Sequence, residues 1–182
     1  MKHRVDLIAA PTGVQPGGYV AKAYVGRDQA ITPWLELEVA RPPGGWRIRL
    51  AWPCPEPVRD VSEDPSLFSD AAALLSPGVE GAPWVTMGAP GQAVEGLLWR
   101  ADSQALRSVR AEGLGTLKRD DAPKGWSARG VWQQGIWRLD LTLRGWPALD
   151  ASGQIAAAVW RGAGRERGGL KSVTPGWRPV TT

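Results

Sequence analysis

The residues from 159 to 173 read VWRGAGRERGGLKSV, an apolar end followed by a glycine- and arginine-rich stretch that closes on Lys171-Ser172. Three chemistries are open to it: a phosphate-binding loop, a solvated basic loop, or a loop that presents one particular lysine. A phosphate loop has the form G-x-x-x-x-G-K-[ST] between a strand and a helix, whose backbone amides and dipole face the phosphate. Gly164 and Gly169 have that separation, but Leu170 stands in the lysine's place. Val173-Thr174-Pro175-Gly176 cannot open a long helix either, because Pro175 and Gly176 stop it. The phosphate reading is set aside. Lys171 stays open between a solvated charge and a ligand, and Arg165 and Arg167 between solvated charges and partners of an anion.

The other chemistry-bearing side chains are few. His3 is the single histidine, in a terminal Lys-His-Arg run, and is expected to be solvated. That removes the usual general base, a Ser-His-Asp triad and the commonest metal ligand. Cys54 is the single cysteine, in the proline-rich turn WPCPEP. One thiol cannot make an internal disulfide, a cysteine zinc site or an iron–sulfur cluster, so Cys54 reads as structural. No C-x-x-C-H run is present for covalent haem attachment. Glu56, Asp60, Glu63 and Asp64 lie in a polar loop and read as solvated. Met87 is the only methionine besides Met1, in the stretch PWVTMGAPG. Two prolines and two glycines stiffen that loop, which suits a ligand position, while plain packing is the other reading. Lysine is scarce as well: Lys2, Lys22, Lys118, Lys124 and Lys171 stand against seventeen arginines.

The elements that must hold these residues are expected to be strands. Segments 19–25, 34–40, 46–52, 94–101, 127–133, 136–144 and 155–161 alternate apolar and polar residues or are rich in β-branched and aromatic ones. WLELEVARPPGGWRIRLAW reads as a hairpin, and ARGVWQQGIWRLDLTLRG as a second, with Trp132 and Trp137 flanking its turn. One helix is expected over 63–75, with acidic residues and Pro65 at its start and Pro77-Gly78 past its end. The expectation is an all-β sandwich with a few short helices in loops, one domain over 1–182.

Bulk properties bound the partners. Eleven tryptophans against one phenylalanine suit a sandwich core or a flat ligand wall. The net charge of +4 suggests an acidic partner or anionic ligand and no dedicated nucleic-acid surface. No apolar run reaches the roughly 18 residues of a membrane span, and no signal peptide is visible. The chain is therefore expected to be cytoplasmic, to have lost a leader, or to travel with a partner that carries one.

Three blocks, in this order along the chain, carry a resemblance. They are PWVTMGAPGQAVEGLLWRAD, GVWQQGIWRLDLTLRGW and IAAAVWRGAGRERGGLKSVTPGW, together covering about Pro83 to Trp177. The sequence resembles the haem b (gamma) subunit of type II dimethyl sulfoxide reductase-family molybdoenzymes, the group of ethylbenzene, dimethyl sulfide, steroid C25, chlorate and selenate enzymes. It departs from the family's pattern at Cys54, at Leu97-Leu98 and at Ala156-Ala157. The resemblance implies a sandwich holding one non-covalent haem b with Met87 and Lys171 as its iron ligands. It also implies Trp84, Trp99 and Trp160 near the cofactor, with Arg165 and Arg167 as partners for the haem propionates. The implied role is non-catalytic electron transfer in a periplasmic heterotrimer. The partners would be an iron–sulfur (beta) subunit, a molybdopterin (alpha) subunit and an external c-type cytochrome. A different class remains beside it: a carbohydrate-binding sandwich whose Trp34, Trp46, Trp132 and Trp137 stack on sugars.

Overall fold

The computed structural model describes residues 2–14, 26–61 and 67–180. The expected strand over 19–25 lies outside them. Two antiparallel sheets face each other. The strands are β1 (Lys2–Asp6), β2 (Ile8–Ala9), β3 (Trp34–Ala40), β4 (Trp46–Pro53), β5 (Ala71–Pro77), β6 (Val94–Arg100), β7 (Leu106–Ala111), β8 (Lys118–Asp121), β9 (Trp126–Gln133), β10 (Ile136–Leu143), β11 (Gln154–Trp160), β12 (Ser172–Val173) and β13 (Arg178–Pro179). A short helix α1 (Pro147–Ser152) and 3-10 turns at Thr12–Val14 and Gly162–Gly164 complete the regular structure of the described residues. The first sheet runs β1-β3-β4-β10-β9, and the second β2-β12-β11-β5-β6-β7-β8, with β13 also paired to β11. The all-β sandwich expected from the alternation is the fold.

Both expected hairpins form. In the second, Gln133 faces Ile136 across a two-residue turn, and Gln134 and Gly135 both hold positive φ, as a tight turn matched to strand twist requires. The alternation then fixes which face is buried. Leu35, Leu37 and Val39 of β3 point inward, as do Trp46, Ile48, Leu50 and Trp52 of β4 and Trp137, Leu139, Leu141 and Leu143 of β10. The second sheet answers with Ala72, Leu74, Leu97, Trp99, Ile155 and Val159. Trp52, Trp99 and Trp137 meet at the centre with ring centroids 5.2–6.3 Å apart, edge-on or stacked, the geometries aromatic quadrupoles favour. Gly130 makes room for this cluster, since a Cβ there would sit 2.1 Å from the Trp99 ring.

Among the described residues, 67–75 do not form the helix expected over 63–75. Residues 71–77 are instead the strand β5, hydrogen-bonded to β6 on one side and β11 on the other; 62–66 lie outside the described residues. The helix-favouring run Ala-Ala-Ala-Leu-Leu is overridden because the segment is central in its sheet and covered on both faces. A strand of that kind loses the period-2 signature. His3, expected to be a loose terminal residue, is exposed but lies in β1 opposite Leu37. No helix among the described residues is long and apolar enough to cross a membrane.

Candidate functional site

On the outer face of the second sheet, turned away from the core, β5 and β11 present small side chains, Ala71, Ala73, Ala156 and Ala158. Ala73 of β5 lies opposite Ala158 of β11 on one side and Leu98 of β6 on the other, and one step along Ala71 lies between Trp160 and Arg100. Loops rise around this floor and line a partly open cavity of about 540 Å³ with a mostly apolar wall. That is the size and character of a small-molecule or cofactor site.

One wall is the loop that carries Met87. Met87 N–H donates to the Trp84 carbonyl at 3.1 Å, Gly88 N–H to Pro83 at 2.8 Å, and Gly113 N–H to the Met87 carbonyl at 3.0 Å. Met87 itself holds φ +57°, a left-handed conformation that costs a non-glycine residue about 1 kcal/mol or more. Gly88 follows at φ +88°, where a Cβ would press to 2.5 Å from the Gln92 carbonyl oxygen. The backbone is thus held in a turn that gives the Met87 side chain to the cavity, where it lines the wall.

The facing wall is the loop between β11 and β12. Its first turn is tied to a buried carboxylate. Asp70 accepts from Gly162 N–H at 2.7 Å, Trp137 Nε1–H at 2.8 Å, Val58 N–H at 2.9 Å and the Cys54 thiol at 3.3 Å. Burial, with Asp70 beside it, pushes that thiol up to about 12, so Cys54 is an inert packed donor, the structural role expected of it. Glu166, also buried, accepts from Arg161 N–H at 2.8 Å, and burial raises its carboxyl to about 7. The Trp160 Nε1–H donates to the Gly168 carbonyl at 3.1 Å, and Ala10 N–H to the Lys171 carbonyl at 2.9 Å. These bonds deliver Lys171 to the cavity.

The two walls meet there. Lys171 Nζ lies 3.9 Å from Met87 Sδ and 5.2 Å from the centre of the Trp160 ring. Lys171 forms none of the ion pairs among the described residues, and burial lowers its amine to about 8. An amine buried beside a thioether with no counter-ion is costly to keep charged, the Trp160 ring offsetting part of that cost, and it is suited to act as a neutral donor.

Of the other residues expected at the site, Trp84, Trp160 and Arg167 line the cavity. Trp99 and Arg165 do not. Trp99 is on the inward-facing register of β6 and is buried in the core cluster, while Arg165 is exposed on the loop's outer turn. Two contributors carry no motif in the sequence: Asp70, which anchors the lysine loop, and the alanine floor. The paired runs at 71–73 and 156–158 were the available signal for the floor, since small residues at alternate positions leave room above a sheet. Among the tryptophans considered as sugar platforms, Trp46 and Trp137 are buried in the core, and Trp46 Nε1–H donates to Asp150. Among the described residues no group of three or more His, Cys, Asp and Glu side chains could hold a metal ion.

Two curated proteins are similar to this chain. The chlorate reductase gamma subunit of Ideonella dechloratans is 31% identical over 157 residues, covering 81% of this chain and 64% of that protein. The chain is a homologue of that gamma subunit. A putative respiratory nitrate reductase haem subunit of Haloferax mediterranei is 29% identical over 149 residues, 77% of this chain and 53% of the relative. Both are consistent with the haem gamma-subunit resemblance carried by the three sequence blocks. The chain thus spans between about half and two thirds of the length of these curated relatives. No family model matches it. A family 9 carbohydrate-binding module from Caldicellulosiruptor kristjanssonii, solved with glucose, overlays 93% of this chain and 73% of its own at a TM-score of 0.42 and 8% identity.

Proposed function

We propose that the cavity binds one non-covalent haem b, with Met87 and Lys171 as the two iron ligands, and that the chain is a non-catalytic electron-transfer subunit. The observation that carries this is the thioether and the unpaired amine facing each other at 3.9 Å inside an apolar cavity. Both side chains carry a lone pair that a haem iron can accept, and the cavity around them is lined mostly by apolar side chains, as the porphyrin would require. The names of the relatives, one a haem subunit, support the same group.

Haem, when bound, supplies one-electron chemistry whose potential methionine ligation tends to raise. The chain's own residues prepare the site. Neutralising a free lysine at pH 7 costs about 4–5 kcal/mol, whereas an amine already lowered to about 8 needs only about 1–2 kcal/mol. Trp160 and the alanine floor give the cavity an apolar wall, and Met87 is aimed by its rigid turn. With Met87 and Lys171 both holding the iron, the site would offer no open position to a substrate. The work is then relay, between an iron–sulfur (beta) subunit of a periplasmic heterotrimer with a molybdopterin (alpha) subunit and an external c-type cytochrome.

Reconstitution with haemin tests this. A Soret band with sharp α and β bands on reduction is expected, and Met87→Ala or Lys171→Ala should each lose the haem or shift its spectrum and potential. Unchanged spectra and potentials in both variants would reject the ligand pair.

A further inference from the structure

Haem b carries two carboxylates on one edge of an otherwise apolar disc, so a cavity that orients it needs two cations at one end. Three arginines line this cavity: Arg100, Arg119 and Arg167. Strand register separates them. Arg100 lies in a row with Ala71 and Trp160 across β6, β5 and β11. Arg167 belongs to the loop pinned to Trp160 through the Gly168 carbonyl, and its guanidinium lies 4.6 Å from the centre of the Phe68 ring. Phe68 precedes Ser69-Asp70, whose Ser69 hydroxyl and Asp70 carbonyl accept the N–H groups of Asp102 and Ala101, the residues following Arg100. Arg100 and Arg167 therefore flank one end of the floor. Arg119 pairs with Val109, which pairs with Gly96, four residues back along β6 from Arg100, roughly 13 Å away at strand spacing.

We infer that Arg100 and Arg167 together receive the two carboxylates of the bound porphyrin and so fix which edge of it faces the Phe68 end of the cavity. This rests on the haem reading above. Arg100 is held in place by an ion pair with Asp102, which uses one arm of its fork and leaves other donors of the guanidinium free. Arg167 is braced from behind by the Phe68 ring. Neither is buried, so each contact is worth what a solvent-screened pair is worth.

The test compares haemin with its dimethyl ester, which keeps the ring and iron but lacks both negative charges. Titration of the folded chain at low ionic strength is followed by the Soret band. The wild type should prefer the free acid by several-fold to roughly tenfold, and the Arg100→Gln/Arg167→Gln double variant should lose that preference while still binding the ester. Two results overturn the inference: a wild type that binds both forms equally, or a preference that survives the double variant and disappears in Arg119→Gln. If neither form binds the wild type, it is the haem reading itself that fails.

Discussion

At the scale of single residues, Met87 and Lys171 are both held at a cost. Met87 takes a backbone conformation that glycine would take more readily, and Lys171 places a buried amine where its charge has no counter-ion among the described residues. Packing alone does not call for either. The Met87 side chain touches a small satellite cluster of Ala82, Val94 and Ala111, separate from the main core. Replacing it with leucine conserves volume, so the stability of the cofactor-free chain should change by less than about 1.5 kcal/mol. For a chain of this length that is a melting shift of no more than about 6 °C. The thioether is lost all the same. Met87→Leu should therefore melt almost like the wild type yet give an altered haem spectrum. A wild-type spectrum would show that the sulfur does not reach the iron.

At the scale of elements, the loop from 161 to 171 has to be held over the sheet, and two buried carboxylates hold it. Asp70 fixes its first turn to β10 and to the segment after β4, and Glu166 closes the turn back on Arg161 N–H. Glu166 retains its proton to about pH 7 because burial opposes its charge. Between the unfolded value of about 4.5 and about 7, the folded chain binds more protons than the unfolded one, so this group removes stability as pH rises through that window. Glu166→Gln keeps an acceptor for Arg161 and cannot ionise. The stability of the variant minus that of the wild type, from denaturant titrations of the cofactor-free chain, should grow by about 2–3 kcal/mol between pH 4.5 and pH 8. A constant difference would mean that the carboxylate is not desolvated. Little of this support was legible in the sequence, because a buried acid and a solvated one have the same letter. The hairpins were legible because one face is wet and the alternation survives. β5 was not, being apolar on both faces. Nor was β8, whose four residues, Lys-Arg-Asp-Asp, are all exposed and show no pattern at all. β2, β12 and β13 are two residues each, too short for any period.

At the scale of the whole molecule, the sandwich core and the cavity share one sheet and use its opposite faces. That division is what lets the protein keep a large hole without weakening its core. It also makes neighbouring residues respond in opposite ways. Ala72 points into the packed core and is fully buried, so Ala72→Leu should overpack it and cost about 1–3 kcal/mol. Ala73, next to it, points at the cavity, where a leucine extends into open space. Ala73→Leu should therefore fold with nearly wild-type stability and exclude the cofactor. Ligand linkage provides the readout. A group that binds only the folded chain, at a hundred times its dissociation constant, adds about 2.7 kcal/mol, or roughly 5–10 °C in melting temperature for a domain of this size. Haemin should produce that rise in the wild type and none in Ala73→Leu, although the two melt alike without it. An equal rise in both would place the binding site somewhere other than over this alanine floor, and with it would go the assignment of the Met87 and Lys171 pair.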